Sequence, residues 1–339
     1  MKKPLFKIRH EGRYGFMDVD GEVAIEPQFF EVADFRNGYS KAVLNDRWAL
    51  LDPVGRLFFK KLYTTIGHFE EDLVRARLVN KWGFLDKKGN EVIPCQFEEV
   101  GNFSEGLAPI RFRDKAGFID KDRNFPVKMK FEETRVFSGG LAPAKVHGRV
   151  GFIDRSGEFA IEPDFDRCLP FQNGVAVFTE NEKWGLLDRE GRVVLKPQFS
   201  FVANHSHGEF FDGVALAFSN GKWGFVAQSG EVIVAPIYDL AGDFGEGLAL
   251  VQVNGLFGYI NKEGKLAILP TFEDAGVFSD GLAQVKIDGK WGFVDTDGKV
   301  VVEPRFARAT PFRDRLSLVS DGEKWVYINR FGDEVWREV

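Results

Sequence analysis

Cysteine is close to absent from this chain: Cys95 and Cys168 are the only two in 339 residues. A disulfide framework or a thiolate-rich zinc site takes more than that. Each cysteine, set beside aromatic or aliphatic positions, therefore reads as a small buried hydrophobe. Histidine is scarce too, and among the five only His205 and His207 stand close together. No stretch reaches the roughly 18 apolar residues of a membrane span. The start, Met1-Lys2-Lys3-Pro4-Leu5-Phe6, runs into a charged strand-like segment with no apolar signal core. A soluble, cytoplasmic protein is expected. An excess of basic charge is also missing: the formal net charge is −6, which gives no reason to expect nucleic acid or a membrane surface as partner. The motifs of catalysis are lacking as well, with no phosphate-binding glycine loop between a strand and a helix, no nucleophile elbow and no HExxH. Carboxylates are too many and too evenly spread to single out an acid–base pair. The expectation is no enzyme, no catalytic residue, no cofactor and no metal.

Glycine and phenylalanine are abundant, at 37 and 35 residues. Both follow from a repeat. A phrase of a basic residue, a large ring, Gly, an aromatic or Leu, an aliphatic residue and usually Asp stands at Lys81-Trp82-Gly83-Phe84-Leu85-Asp86. It recurs from Lys183, Lys222 and Lys290, and in weaker form from Arg13, Arg47, Lys115, Arg149, Leu256 and Lys324. Every step is 34 residues except that from 183 to 222, which is 39, so ten copies fill residues 1–339 as a single array with one five-residue insertion near 204–211. A fixed period of this length marks a repeat architecture, in which each unit buries its apolar surface against its neighbours.

The copy from Lys81 to Asp114 predicts three strands. The first is Lys81–Asp86, closed by Asp86-Lys87-Lys88-Gly89, in which Asp can accept backbone N–H groups and Gly supplies positive φ. The second is Glu91-Val92-Ile93, stopped by Pro94. An irregular crossover with Phe97 and Phe103 follows, and Gly106 then opens the third strand, Leu107–Phe112. Hairpin signals such as Asp288-Gly289 join that strand to the first strand of the next copy. The phrase is apolar on both faces, with rings at 82 and 84 and an aliphatic residue at 85, so it must be covered on both sides. The Gly after the ring is expected to make room for an aromatic residue of the neighbouring unit.

The predicted fold is all-β: three-stranded antiparallel meanders stacked into an open curved β-solenoid. The alternative is a closed, propeller-like ring. Propellers usually have four strands per blade and four to eight blades, whereas three strands and ten units are counted here, and the chain begins and ends on whole units.

The phrase, together with Pro197-Gln198-Phe199 and Phe278-Ser279-Asp280-Gly281-Leu282-Ala283, resembles the WG-repeat family of bacterial proteins over nearly the whole chain. The resemblance implies a non-catalytic repeat scaffold with no shared ligand or catalytic residue, so it carries over no site. Copies depart from the pattern at Ala49, Ala116, Val150, Arg123 (for Gly) and Ala227 (for Asp), which places local turns or packing in question.

The recurring Asp reads as a turn cap rather than a calcium ligand, because the dense oxygen ligands of a calcium loop are missing. The basic residue before the ring reads as a solvated edge that discourages pairing between sheets. The insertion carries His205, His207, Glu209, Phe210 and Phe211. Two histidines do not make a zinc site, but insertions in repeat proteins map to binding faces. These five residues, with an exposed Phe210 or Phe211, are the candidate contact for a protein partner. The leading function is a scaffold for protein–protein interaction, with a subunit of a larger bacterial complex as one form of it. Its rival, a carbohydrate- or peptide-binding module or an enzyme, needs a row of exposed rings. The scaffold expects Trp82, Trp184, Trp223 and Trp291 to be buried between sheets.

Overall fold

The computed structural model describes residues 3–44, 47–200 and 209–338. Its strands form ten antiparallel sheets, seven of four strands and three of three among the described residues. One sheet shows the pattern. Glu99–Val100, Leu107–Phe112, Lys115–Asp120 and Val127–Phe131 pair in that order. The crossover therefore holds a fourth strand, which is only two residues long in this copy and is easily overlooked in sequence. Elsewhere it lengthens, as at Thr65–Glu70 and Leu240–Gly245.

Contacts divide the chain into two compact units. The first comprises Met1–Asp18, Glu22–Asn181 and Leu186–Val193; the second comprises Val19–Gly21, Glu182–Gly185 and Val194–Val339. Within each unit, successive sheets bury shared clusters. In the first, Phe84, Ile93, Phe97, Phe103, Ala108 and Ile119 form one such cluster. In the second, Tyr259, Ile268, Phe272, Phe278, Val285 and Val294 form another. The second ring of the phrase meets the later crossover ring. Phe84 and Phe103 lie 4.8 Å apart between centroids, as do Tyr259 and Phe278. Such edge-on pairs add to the ~1.5–3 kcal/mol that each buried side chain contributes.

The glycine of the phrase has a different reason from the one expected. Trp82 faces Phe97 and Phe84 faces Ile93, so the outer strand spends four residues against two of its partner. The extra residues bulge over Gly83. A Cβ there would lie against the Ile93 carbonyl oxygen and 2.7 Å from the Cys95 nitrogen. The obstacle is backbone of the same sheet, not an aromatic residue of the next. Pro94 does not stop the strand, which runs Glu91–Phe97; it sits in the bulge, where no ladder N–H is required. Two departures fit this account. Opposite Ala49 the bulge is one residue longer, since Trp48 faces Tyr63 and Leu50 faces Phe58. Val326, in the glycine position of the last copy, faces Arg337 while Tyr327 faces Trp336, with no bulge over it.

The open solenoid is overturned, and the repeats are blades of a β-propeller. In nine of the ten copies a second glycine, in the turn that closes the phrase, seats on the outer strand of the copy before it. A Cβ at Gly157 would meet Val127 at 3.0 Å, one at Gly264 would meet Val234 at 2.6 Å, and one at Gly298 would meet Ile268 at 3.1 Å. In the same series, within the second unit, Gly21 of the first copy seats on Val335 of the last, 2.7 Å from its carbonyl oxygen. An open array has no contact between its first and last copies. Closure here uses this joint rather than a blade of mixed strands, and for that reason whole units at both ends gave no sign of it. Arg123 stands where Gly is expected in this series. It keeps a left-handed φ of 70° and its Nε donates to the Val92 carbonyl at 2.7 Å, so the joint survives with a hydrogen bond in place of close packing.

Candidate binding groove where two copies lack their ring

Most polar residues of the phrase are engaged in holding the blades. Asp52 accepts the N–H groups of Val54 and Arg56 at 3.0 and 2.8 Å and the Arg56 Nε at 2.8 Å. Burial pulls its carboxyl upward, but these donors outweigh it and hold it below the usual carboxylate range. Asp86, Asp120 and Asp154 cap their turns in the same way. Asn261 does so in its own copy, accepting from Lys265 N–H at 3.0 Å. The basic residues meet a partner 17 positions on: Lys81 with Glu98 at 3.5 Å, Lys183 with Ser200 at 2.6 Å, and also Arg149 with Asp166 and Lys222 with Asp239. Arg13 instead lies 3.5 Å over the Phe30 ring. Among the described residues, no group of three or more His, Cys, Asp or Glu could hold a metal ion.

A second set of acids ties one copy to the next. Glu71, Glu105, Asp212 and Glu246 each adopt positive φ. Their carboxylates accept the N–H of Gly106, Gly140, Gly247 and Gly281, at 3.0, 3.0, 2.8 and 2.9 Å. Cations reinforce three of them: Lys121 at 3.2 Å from Glu71, Arg155 at 3.8 Å from Glu105 and Lys262 at 3.8 Å from Asp212.

The ring position itself is not uniform. Trp184 and Trp223 are buried, as expected, whereas Trp82 and Trp291 are half-buried. Trp82 faces Arg77 across its hairpin, with the guanidinium groups of Arg75 and Arg77 at 5.6 and 5.9 Å from a ring centroid. Lys41 lies 5.4 Å over Trp48 in the same manner. In the next two copies the ring is gone. Ala116 faces Arg111, and the place of the indole is a pocket of 590 Å³ walled by Pro109, Ile110, Val100, Val136 and Pro170. Val150 faces Lys145, and beside it lies a second pocket of 230 Å³ reaching Pro143 and Cys168. Glu133, Thr134 and Arg135 line both pockets, so the two form one groove within the first unit. Burial pushes the Cys168 thiol up, only partly opposed by Arg135 and Arg149, which keeps it protonated and unreactive at neutral pH. Neither cysteine is in a disulfide; Cys168 is buried as expected, and Cys95 is half-buried.

The acids of the groove already have partners. Glu99 lies 3.6 Å from Arg111 and Glu133 lies 3.5 Å from Lys145. Glu132 accepts the Gly148 N–H at 3.2 Å, and Asp166 accepts that of Asn181 at 2.9 Å. Arg135 and Arg167 are exposed, and neither has a carboxylate partner among the described residues. Arg135 and Arg167 are therefore the cations of the groove left for a ligand, set against Glu132, whose partner is a neutral backbone N–H.

Of the insertion residues, His205 and His207 lie outside the described residues. Glu209 is exposed; Phe210 is buried at 6% and Phe211 is exposed at 38%, so Phe211 is the ring offered to solvent. Sequence reasoning noted Ala116 and Val150 as departures but did not read them as a site. The signal was available: a column of rings interrupted twice in succession while Arg111 and Lys145 persist in the register of Arg77.

A family model described as "WG containing repeat" matches residues 14–48, 82–115, 117–149, 151–184, 184–223, 223–257, 257–291 and 291–325. No curated protein matches the chain. Among solved structures it is similar to a crystal structure of the eukaryotic initiation factor, with a TM-score of 0.56 and 10% identity, covering 99% of this chain and 96% of that one. That likeness shows the fold alone. Dihydro-heme d1 dehydrogenase NirN in complex with DHE is matched at a TM-score of 0.41 and 11% identity, over 100% of this chain and 75% of that one.

Proposed function

Because this chain belongs to the family of WG containing repeats, we propose that it is a non-catalytic scaffold that binds a protein partner, and that it works in the cytoplasm. The groove beside Ala116 and Val150 carries this reading. The polar groups of the phrase are taken up by turns and joints between copies, and the groove is where the repeat departs from its own rule and leaves concave, partly apolar surface with two guanidinium groups, Arg135 and Arg167, that have no carboxylate partner among the described residues. Concave surfaces with a few convergent polar groups are the usual binding sites of rigid scaffolds. No helix among the described residues is long and apolar enough to cross a membrane.

The test is recovery of the native complex. The tagged chain, purified from its own host under mild conditions, should carry a protein in fixed stoichiometry. A clean monomer from that lysate would overturn the proposal.

A further inference from the structure

We propose that the groove takes an aromatic side chain from an acidic, extended segment of a protein partner, with the ring seated in the slot that Ala116 leaves open. This rests on the scaffold reading and specifies its ligand. The internal template is Trp82, a ring of the same phrase held between its own sheet and the next under two guanidinium groups. One copy later the strands keep their pairing and Arg111 keeps the register of Arg77, but the ring is missing and Pro109 stands where Arg75 was, so one of the two cations remains. The walls are apolar at Pro109, Ile110 and Val136, which suits the face and edge of an indole, and Arg111 supplies the cation for its electron-rich face.

Charge and spacing argue for a polypeptide rather than a free aromatic compound. Neighbouring sheets stack about 10 Å apart, close to one turn of a polyproline-II segment, which rises ~3.1 Å per residue and brings every third side chain back to the same face. A segment with a ring at one position and a branched aliphatic side chain three residues on can fill the larger and the smaller pocket together. Arg135, which lines both pockets, and Arg167, at the second, are left to pair with an acidic residue between them.

The probe is the blocked tetrapeptide acetyl-(5-fluoro-Trp)-Glu-Gly-Val-amide, followed by fluorine NMR so that the chain's own tryptophans stay silent. Saturable shift or broadening of the fluorine signal is expected with the native chain. Arg111→Ala should weaken binding about tenfold, and Ala116→Trp, which restores the ring of the phrase, should abolish it. Ala116→Leu serves as a second, smaller plug should the tryptophan variant fail to fold by circular dichroism. Free 5-fluorotryptophan should bind at least tenfold more weakly than the peptide. Equal titration of native and plugged chains, no effect of Arg111→Ala, equal binding of the free amino acid, or no saturation up to millimolar peptide would each overturn the proposal. The two readings fail separately. Retention of the native partner by the plugged chain would sink the ring slot and leave the scaffold. Peptide binding by a chain that is a monomer in its own lysate would do the reverse.

Discussion

Asp52 shows how little freedom the phrase leaves its polar residues. Its carboxylate serves three donors and is 5% exposed. Hydrogen bonds to a charged group are worth about 1.5–3 kcal/mol each in net stability, so Asp52→Ala should cost at least about 1.5 kcal/mol in urea unfolding. Asp52→Asn should cost less, because Asn261 already caps the same turn in its own copy. The pH dependence follows from the sign of the shift. The folded pKa lies below the unfolded one, so the contribution is whole above the ordinary Asp value near 4 and is lost as pH falls through the lower, folded value. Asp86, Asp120 and Asp154 shift in the same direction. Urea midpoints should therefore be flat from pH 6 to about 5 and fall steeply below about 4, with a shallower fall in the asparagine variant.

At the scale of one sheet, the glycine bulge is the element least open to change. Gly83 is backed by the main chain of its own outer strand, which cannot swing aside as a side chain can. Gly83→Ala should lower stability by about 1–3 kcal/mol or shift the register of Glu91–Phe97. Thermal unfolding and amide exchange along that strand would register either outcome, and an unchanged melting temperature with native exchange would refute the steric account. The bulge also marks a limit of reading strands from sequence. Repeat length, three of the four strands, the hairpin turns and the turn-capping Asp were all legible, because periodicity and turn chemistry are local. The fourth strand was not: Glu99–Val100 has no alternation long enough to notice, and its existence depends on pairing with Leu107–Phe112. Pro94 looked like a terminator because a proline in a regular strand is one, and only the pairing shows that it sits where the ladder is already broken. The groove was half legible. Ala116 and Val150 stood out as gaps, but a gap becomes a pocket only when nothing else fills it, and that is decided by residues distant in sequence, such as Val136 and Pro170 for the slot at Ala116.

For the molecule as a whole, the decisive residue pair is Gly21 and Val335. Gly21 has φ 87° and backbone of Val335 where a Cβ would go; Gly12 has φ 76° and nothing within 4 Å. Both would resist alanine through φ alone, so Gly12→Ala isolates that cost. Gly21→Ala should exceed it by about 1–3 kcal/mol through overlap with Val335. Equal losses in urea unfolding would mean that first and last copies do not meet. The sequence reading favoured an open array because closure leaves no local trace: the glycine at position 21 looks like every other turn glycine.

That same pair is separated by 314 residues, whereas the equivalent joint between Gly332 and Val302 spans 30. Loop-closure entropy grows with the logarithm of length, so bringing 21 to 335 in an unstructured chain costs about 2 kcal/mol more than making any other joint of the series. Ordinary joints form between chain neighbours and can grow outward from any copy, as in other repeat arrays. The seam can form economically only after those joints have shortened the distance between the ends. Folding thus acquires a last step from a contact of the same kind as eight others, because this joint alone of the series links copies that are not neighbours along the chain.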